Sequence, residues 1–395
     1  MNNDPVVIVG AARTPLGGFA GSLSAVSAPN LGTVAIEGAI KHANLDKSLV
    51  DEVFMGSVLP AGTGQAPARQ ASLNAGLPQS AGCTTINKVC GSGMKAVMLS
   101  HDLIVAGSGE IFVAGGMESM TNAPYLLPKA RGGYRLGHGE VKDSMFLDGL
   151  EDAYEPGKLM GVFAQETADK YQFSREQQDA FAIKSLTRAQ QAINNGDFDN
   201  EISAVTIKSR RGETVVATDE QPLNAKLEKI PTLRPAFSKD GSITAANSSS
   251  ISDGAAALIL MKQSRAEALG LTILAKIISH ATNSLKPSEF TIAPVGAIQK
   301  VLQKSNWAIG DVDLFEINEA FAMVTMAAMH DLKLDHNKVN IYGGACALGH
   351  PLGATGARII VTLLNALKNT GGTKGVAALC IGGGEATAIS IELAE

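Results

Sequence analysis

Two cysteines and a histidine, each set among glycines, are the residues of this sequence best placed for covalent chemistry. Cys90 lies in NKVCGSGMKAV, at the end of a strand-like run and just before a helical pattern, where Gly91 and Gly93 would permit a sharp turn. A thiol at such a corner faces outward into the positive field of a helix N-terminus, which favours the thiolate and makes a nucleophile. Most cysteines are small buried hydrophobes, and Cys83, within an ordinary strand pattern, is read that way. His350, in GGACALGHPLGATGAR, is expected to follow a strand and to precede a helix whose first turn suits Pro351. An imidazole there can take a thiol proton or donate to developing negative charge. His42, His101 and His330 lie inside helical patterns and read as surface or packing residues. Cys380, in ALCIGGGEATA, is followed by glycines that let backbone amides approach a ligand. A second thiol can serve as acid and base in one cycle, although a strand interior also suits an inert core cysteine. Asn318, in EINEAFAM, falls at a strand-to-helix junction; it could anchor a water, but capping the helix is the favoured reading.

The elements that must position these residues form an α/β pattern. Short β-rich runs such as VVIVG, VDEVFMGSVL and IFVAGG alternate with helical ones such as LGTVAIEGAIKHA and SGMKAVMLSHDLIVA. From about Met120 to Asn247 the character turns polar and rich in proline and glycine, with one strongly helical piece at SREQQDAFAIKSLTRAQQAI, which reads as an inserted loop domain. The α/β pattern then resumes. The expected division is residues 1–119 with 248–270 as one half, 120–247 as the insertion, and 271–395 as the other half. A weak internal repeat supports duplication. The segment from Ala39 aligns without gaps on that from Val301, pairing Asn44 with Asn306, Val50 with Val312 and Asp51 with Asp313, and FVAGGMES occupies the place of ALCIGGGEA further on. Two similar halves face to face would enclose a cleft between strand ends and helix N-termini.

Composition narrows the function. The chain has 395 residues, 45% of them apolar and 18% charged, with 42 glycines, as expected of a large globular α/β protein with many close backbone approaches. A formal charge of −5 argues against nucleic-acid binding, so an anionic ligand must be held by local groups. No apolar run is long enough for a membrane span, MNNDPVVIVG shows no secretory pattern, and a cytoplasmic protein is the expectation. Four scattered cysteines without a CxxC pair suggest neither a disulfide scaffold nor a zinc site.

Taken together and in order, NKVCGSGMKAV, NEAFA, GGACALGHPLGATGAR and CIGGG resemble the thiolase family, and ARTPLGGF and NSSSISDGAAA extend the likeness over essentially the whole chain. The resemblance implies two duplicated halves stacked as five αβαβα layers, with the inserted loop domain binding coenzyme A. It implies that Cys90 is acylated, that His350 activates it, and that Cys380 moves the α-proton of a second thioester. Two oxyanion holes are implied, one from His350 and a water held by Asn318, the other from the amides of Cys90 and Gly382. Ser249, Met160 and Phe321 are implied coenzyme A contacts. No permanently bound cofactor is expected, only coenzyme A thioesters as substrates. The strings GGMESMTNAPYLL and RLGHGEVKDSMFLDGLEDAY are most similar to members that form acetoacetyl-CoA from two acetyl-CoA by reversible Claisen condensation, although Leu159 stands where many of these carry histidine. Alternatives are a 3-ketoacyl-CoA thiolase of longer chain length, a carrier-protein condensing enzyme, and a non-catalytic acyl-CoA binder. Lys208, Arg210 and Arg211, or Lys226 and Lys229, are the candidate phosphate contacts. The family likeness further implies a homotetramer, with contacts near Tyr125 to His138, and no metal.

Overall fold

The computed structural model describes residues 4–210 and 212–394, so the candidate base Arg211 lies outside the described residues. The first half contains β1 (Val6–Arg13), α1 (Ala28–Ala43), β2 (Glu52–Gly56), α2 (Pro67–Asn74), β3 (Gly82–Ile86), α3 (Ser92–Ala106) and β4 (Ile111–Ser119). The inserted segment follows, with α4 (Met160–Lys170) and α5 (Arg175–Asn195), and the chain returns to the sheet in β5 (Ser252–Lys262). The second half contains β6 (Ala275–Ser284), α6 (Ala293–Ser305), β7 (Leu314–Ile317), α7 (Ala322–Leu332), α8 (Leu352–Thr370), β8 (Lys374–Ile381) and β9 (Glu385–Leu393).

The strands lie in the order β7-β8-β9-β6-β1-β5-β4-β2-β3, and the halves meet where Val7 and Ile8 pair with Lys276 and Ala275. In the first half β1 and β4 run antiparallel to β5, while β2 is parallel to both β4 and β3. The second half repeats this: β6 and β8 run antiparallel to β9, and β7 is parallel to β8. Its counterpart of β3 is reduced to a single parallel bridge between Phe315 and Val339. The three residues shared by the internal repeat do the same work in each copy. Asn44 and Asn306 both end a helix in the left-handed conformation, at φ 50° and 57°, which asparagine tolerates better than most residues. Val50 and Val312 are both buried. Asp51 accepts hydrogen bonds from the amides of Glu110 and Ile111, and Asp313 from those of Thr373 and Lys374, each at the start of the neighbouring strand.

Because side chains alternate across a strand, each sheet half presents two apolar faces. In the first half Val53, Val113 and Ile259 pack under α1 and α2. Phe54, Phe112 and Leu258 point the other way, onto Met94 and Val97 of α3 and Ile359 and Leu363 of α8. Leu379, Ile389 and Ile391 of the second half close on those same two helices, while Phe315, Val376 and Ala388 pack against α6 and α7. The result is five layers with α3 and α8 at the centre, as the family resemblance implies.

The inserted segment is tied back by charge. Arg13, fully buried in ARTPLGGF, makes a bidentate pair with Asp219 at 2.7 and 2.8 Å and a further ion pair with Glu201. Helix α5 is started by a reciprocal capping box between Ser174 and Gln177.

Candidate active site

The corner at Cys90 is built differently from the sequence expectation. Gly91 has an ordinary φ of −84°, and Gly93 is already in α3. The left-handed residue is Val89, at φ 46°, a conformation costly for a β-branched side chain. Three hydrogen bonds hold it there: Val89 N–H donates to Asn87 Oδ1 (2.8 Å), Ser92 Oγ donates to Val89 O (2.6 Å), and Lys88 N–H donates to Ser92 Oγ (2.8 Å). The glycines serve close approach instead. A Cβ on Gly91 would lie 2.3 Å from Ile381 Cδ1, and one on Gly93 would lie 2.8 Å from Ala357 N and 2.9 Å from Gly353 O. The nucleophile corner is therefore pressed against β8 and the first turns of α8.

Cys90, His350, Cys380 and Gly382 line one cavity of about 380 Å³, with Ser249, Met160 and Phe321 also in its wall. Three distant segments thus bring their candidate residues together. Desolvation pushes the Cys90 thiol up to about 11, against the pull of hydrogen bonds from the amides of Gly382 and Cys90; the Glu118 carboxylate adds to the rise. The helix N-terminus does not make this a resting thiolate, because the loss of water outweighs it. Cys380 is buried, and desolvation followed by the neighbouring Cys90 holds its thiol well above the ordinary range.

His350 follows a short helical turn, Ala345–Leu348, and not a strand. Desolvation, with a contribution from the Arg358 guanidinium, lowers its pKa to about 3, so the ring is neutral. Its tautomer follows from hydrogen-bond accounting. Thr355 Oγ1 donates to Pro351 O (2.9 Å), so at 2.6 Å it accepts from His350 Nδ1–H. This leaves Nε2 as the lone-pair nitrogen, buried and without a hydrogen-bond partner among the described residues.

Asn318 is not a helix cap. Helix α7 begins four residues later, at Ala322, and the backbone amide of Asn318 donates to Ala378 O at 3.0 Å. Its side chain is buried with neither amide atom paired among the described residues, and it stands outside the lining of the main cavity. Cys83 is partly buried in β3, beside the Arg69 guanidinium.

Two residues important to this geometry were not singled out from sequence as site residues. Val89 carries no local signal of its conformation. Glu118, the glutamate of FVAGGMES, is fully buried and accepts hydrogen bonds from the amides of Val58, Leu59 and Gly353 at 2.9, 3.1 and 2.8 Å. It ties the loop after β2 to the N-terminus of α8. Desolvation pushes its carboxyl up to about 7 despite these bonds.

A duplicated five-layered fold, with two thiols and an imidazole meeting between its halves, is the architecture of one family: the chain belongs to the thiolases. Residues 6–264 match the model of the thiolase N-terminal domain and residues 271–393 that of the C-terminal domain. Over 388 residues the chain is 47% identical to an acetyl-CoA acetyltransferase of Pseudomonas aeruginosa, covering 98% of each sequence. It is 50% identical over 390 residues to acetyl-CoA acetyltransferase 1 of Arabidopsis thaliana, covering 98% of this chain and 94% of that one. Among solved structures, an acetyl-CoA acetyltransferase of Bacillus anthracis superposes with a TM-score of 0.96 at 42% identity, covering 99% of each chain. A thiolase of Ascaris suum in complex with coenzyme A superposes with a TM-score of 0.93 at 44% identity, covering 99% of this chain and 100% of that one.

Proposed function

We propose that the protein is an acetyl-CoA acetyltransferase that joins two acetyl-CoA into acetoacetyl-CoA and coenzyme A, reversibly, through an acetyl-cysteine. The observation that carries this reading is the meeting of Cys90, Cys380, the His350 imidazole and the Gly382 backbone in one cavity. His350 Nε2, bare and aimed by Thr355, takes the Cys90 proton as sulfur attacks the acetyl carbonyl. The bond from that carbonyl to the coenzyme A sulfur breaks, and the Cys380 thiol protonates the leaving thiolate, so that Cys380 becomes the thiolate while His350 keeps the proton on Nε2. The amides of Cys90 and Gly382, which already reach the sulfur, stabilise the oxyanion. The Cys380 thiolate then removes an α-proton from the second acetyl-CoA and returns to the thiol. The resulting enolate oxygen is held by the His350 Nε2–H and by a water on Asn318, whose buried amide suits that task. Its carbon attacks the acetyl group, and Cys90 leaves as the thiolate and takes its proton back from His350 Nε2.

Between the two sets of candidate phosphate contacts, the geometry favours Lys226 and Lys229. They line a second cavity of about 250 Å³ that shares Ala245 and Ser250 with the main one. Lys208 pairs with Glu213 across the hairpin Val205–Ser209/Gly212–Val216, and its side chain is 79% exposed. A homotetramer joined through the segment near Tyr125 to His138 is supported by the exposed apolar side chains of Tyr125, Leu127 and Leu136 there.

The test is acetyl trapping. On mixing with acetyl-CoA the intact protein should gain one acetyl group on Cys90. Cys90→Ser should lose the adduct, and Cys380→Ser should keep it while condensation stops. Normal acylation of both variants would overturn the assignment of roles.

A further inference from the structure

The end of α3 remote from the nucleophile carries a second cluster that the condensation does not use. We propose that His101 and Asp102 of α3, with His280 of β6, form a binding site for a divalent transition ion of the zinc(II) class. Asp102 Oδ1 lies 3.1 Å from His101 Nδ1 and 2.9 Å from His280 Nε2, and a ligand atom from each residue lies within 4.8 Å of the other two. The imidazole planes are 84° apart with ring centroids at 5.0 Å, so the rings meet edge to face and do not stack over the site. The histidine side chains are 19% and 15% exposed, while Asp102 is 54% exposed and marks the solvent side by which an ion would enter.

Two imidazole nitrogens and one carboxylate oxygen are the donors that zinc and its neighbours prefer, whereas calcium or magnesium would demand more oxygen ligands. Ligand atoms around a tetrahedral zinc ion stand about 3.4 Å apart, so the two carboxylate-to-imidazole separations need to open by only a few tenths of an ångström, leaving the fourth position to water. The Lys304 ammonium, which donates to the His280 carbonyl, is the cation nearby that opposes binding, and the Asp102 carboxylate offsets it. His330 and Asp331 provide an internal contrast. They form the same adjacent pair at 2.9 Å, but the rings packed on His330 are those of Tyr171 and Phe173, without a second imidazole. Bound at the first cluster, an ion would clamp the central helix that follows Cys90 to a strand of the second half.

Equilibrium dialysis of the full-length protein against Zn²⁺ and Co²⁺, with the cobalt absorption spectrum, tests this. The expected result is one ion per chain, cobalt d–d bands without a thiolate-to-cobalt charge-transfer band, and a Tm that rises with metal concentration. His101→Gln and His280→Gln should each weaken binding by about tenfold or more. Asp102→Asn, at the exposed ligand, should do the same without disturbing packing, and His330→Gln should leave binding unchanged. The proposal is overturned by a thiolate charge-transfer band, by undiminished binding in the glutamine and asparagine variants, or by no binding to the wild type.

Discussion

His350 shows how one side chain can be tuned by what it touches. Thr355 fixes its tautomer, and burial keeps it neutral. Thr355→Val removes the acceptor for Nδ1–H and should lower kcat about tenfold, the worth of one hydrogen bond, with little change in KM; steady-state kinetics would show the split. The depressed pKa also has a stability consequence. The folded ring, with a pKa near 3 against an ordinary 6.5, binds fewer protons than the unfolded one. Its contribution is therefore complete above pH 6.5 and is lost as pH falls from there toward 3, at about 1.4 kcal/mol per unit. His336, lowered by burial to about 4, acts in the same direction. Denaturation of wild type and His350→Asn at several pH values between 6 and 4 should show the variant losing stability less steeply.

Among the elements, the contact between α3 and α8 is made possible by absent side chains. Gly353 and Gly356 of GATGAR lie within α8. A Cβ on Gly356 would stand 2.3 Å from Met94 N, and one on Gly116 of β4 would stand 1.9 Å from Gly353 O. Backbone cannot yield as a flexible side chain can. Gly356→Ala should therefore cost about 1–3 kcal/mol or more, read as a lower urea midpoint, and should reduce activity by displacing the helix on which His350 and Gly353 depend. Helix α3 begins two residues after Cys90, so the same contact sets the position of the nucleophile.

For the molecule as a whole, the inserted segment depends on a charge network far from any water. Arg13, Asp219 and Glu201 are all buried, and Thr362 of α8 donates to Glu201 at 3.0 Å. One arginine thus joins β1, the insertion and the central layer. Arg13→Ala leaves two carboxylates without their partner and should cost about 3–5 kcal/mol. Limited proteolysis should show cleavage between residues 196 and 247 before the rest of the chain opens.

Local chemistry could be read without coordinates. The reactive types of Cys90, His350 and Cys380, the α/β alternation and the repeat in which Asn44, Val50 and Asp51 reappear as Asn306, Val312 and Asp313 all depend on neighbours in sequence, because capping, strand patterning and side-chain identity are short-range properties. The stacking into five layers came from family likeness, not from periodicity. Tertiary structure alone decided that Val89 bears the turn, that Asn318 is an unpaired buried amide and not a cap, that Glu118 braces the corner, and that the glycines of α8 serve a helix crossing. The last three depend on the approach of segments roughly 60 to 260 residues apart, and no local signal specifies which backbone will arrive there, whereas Val89 is held by bonds within its own turn.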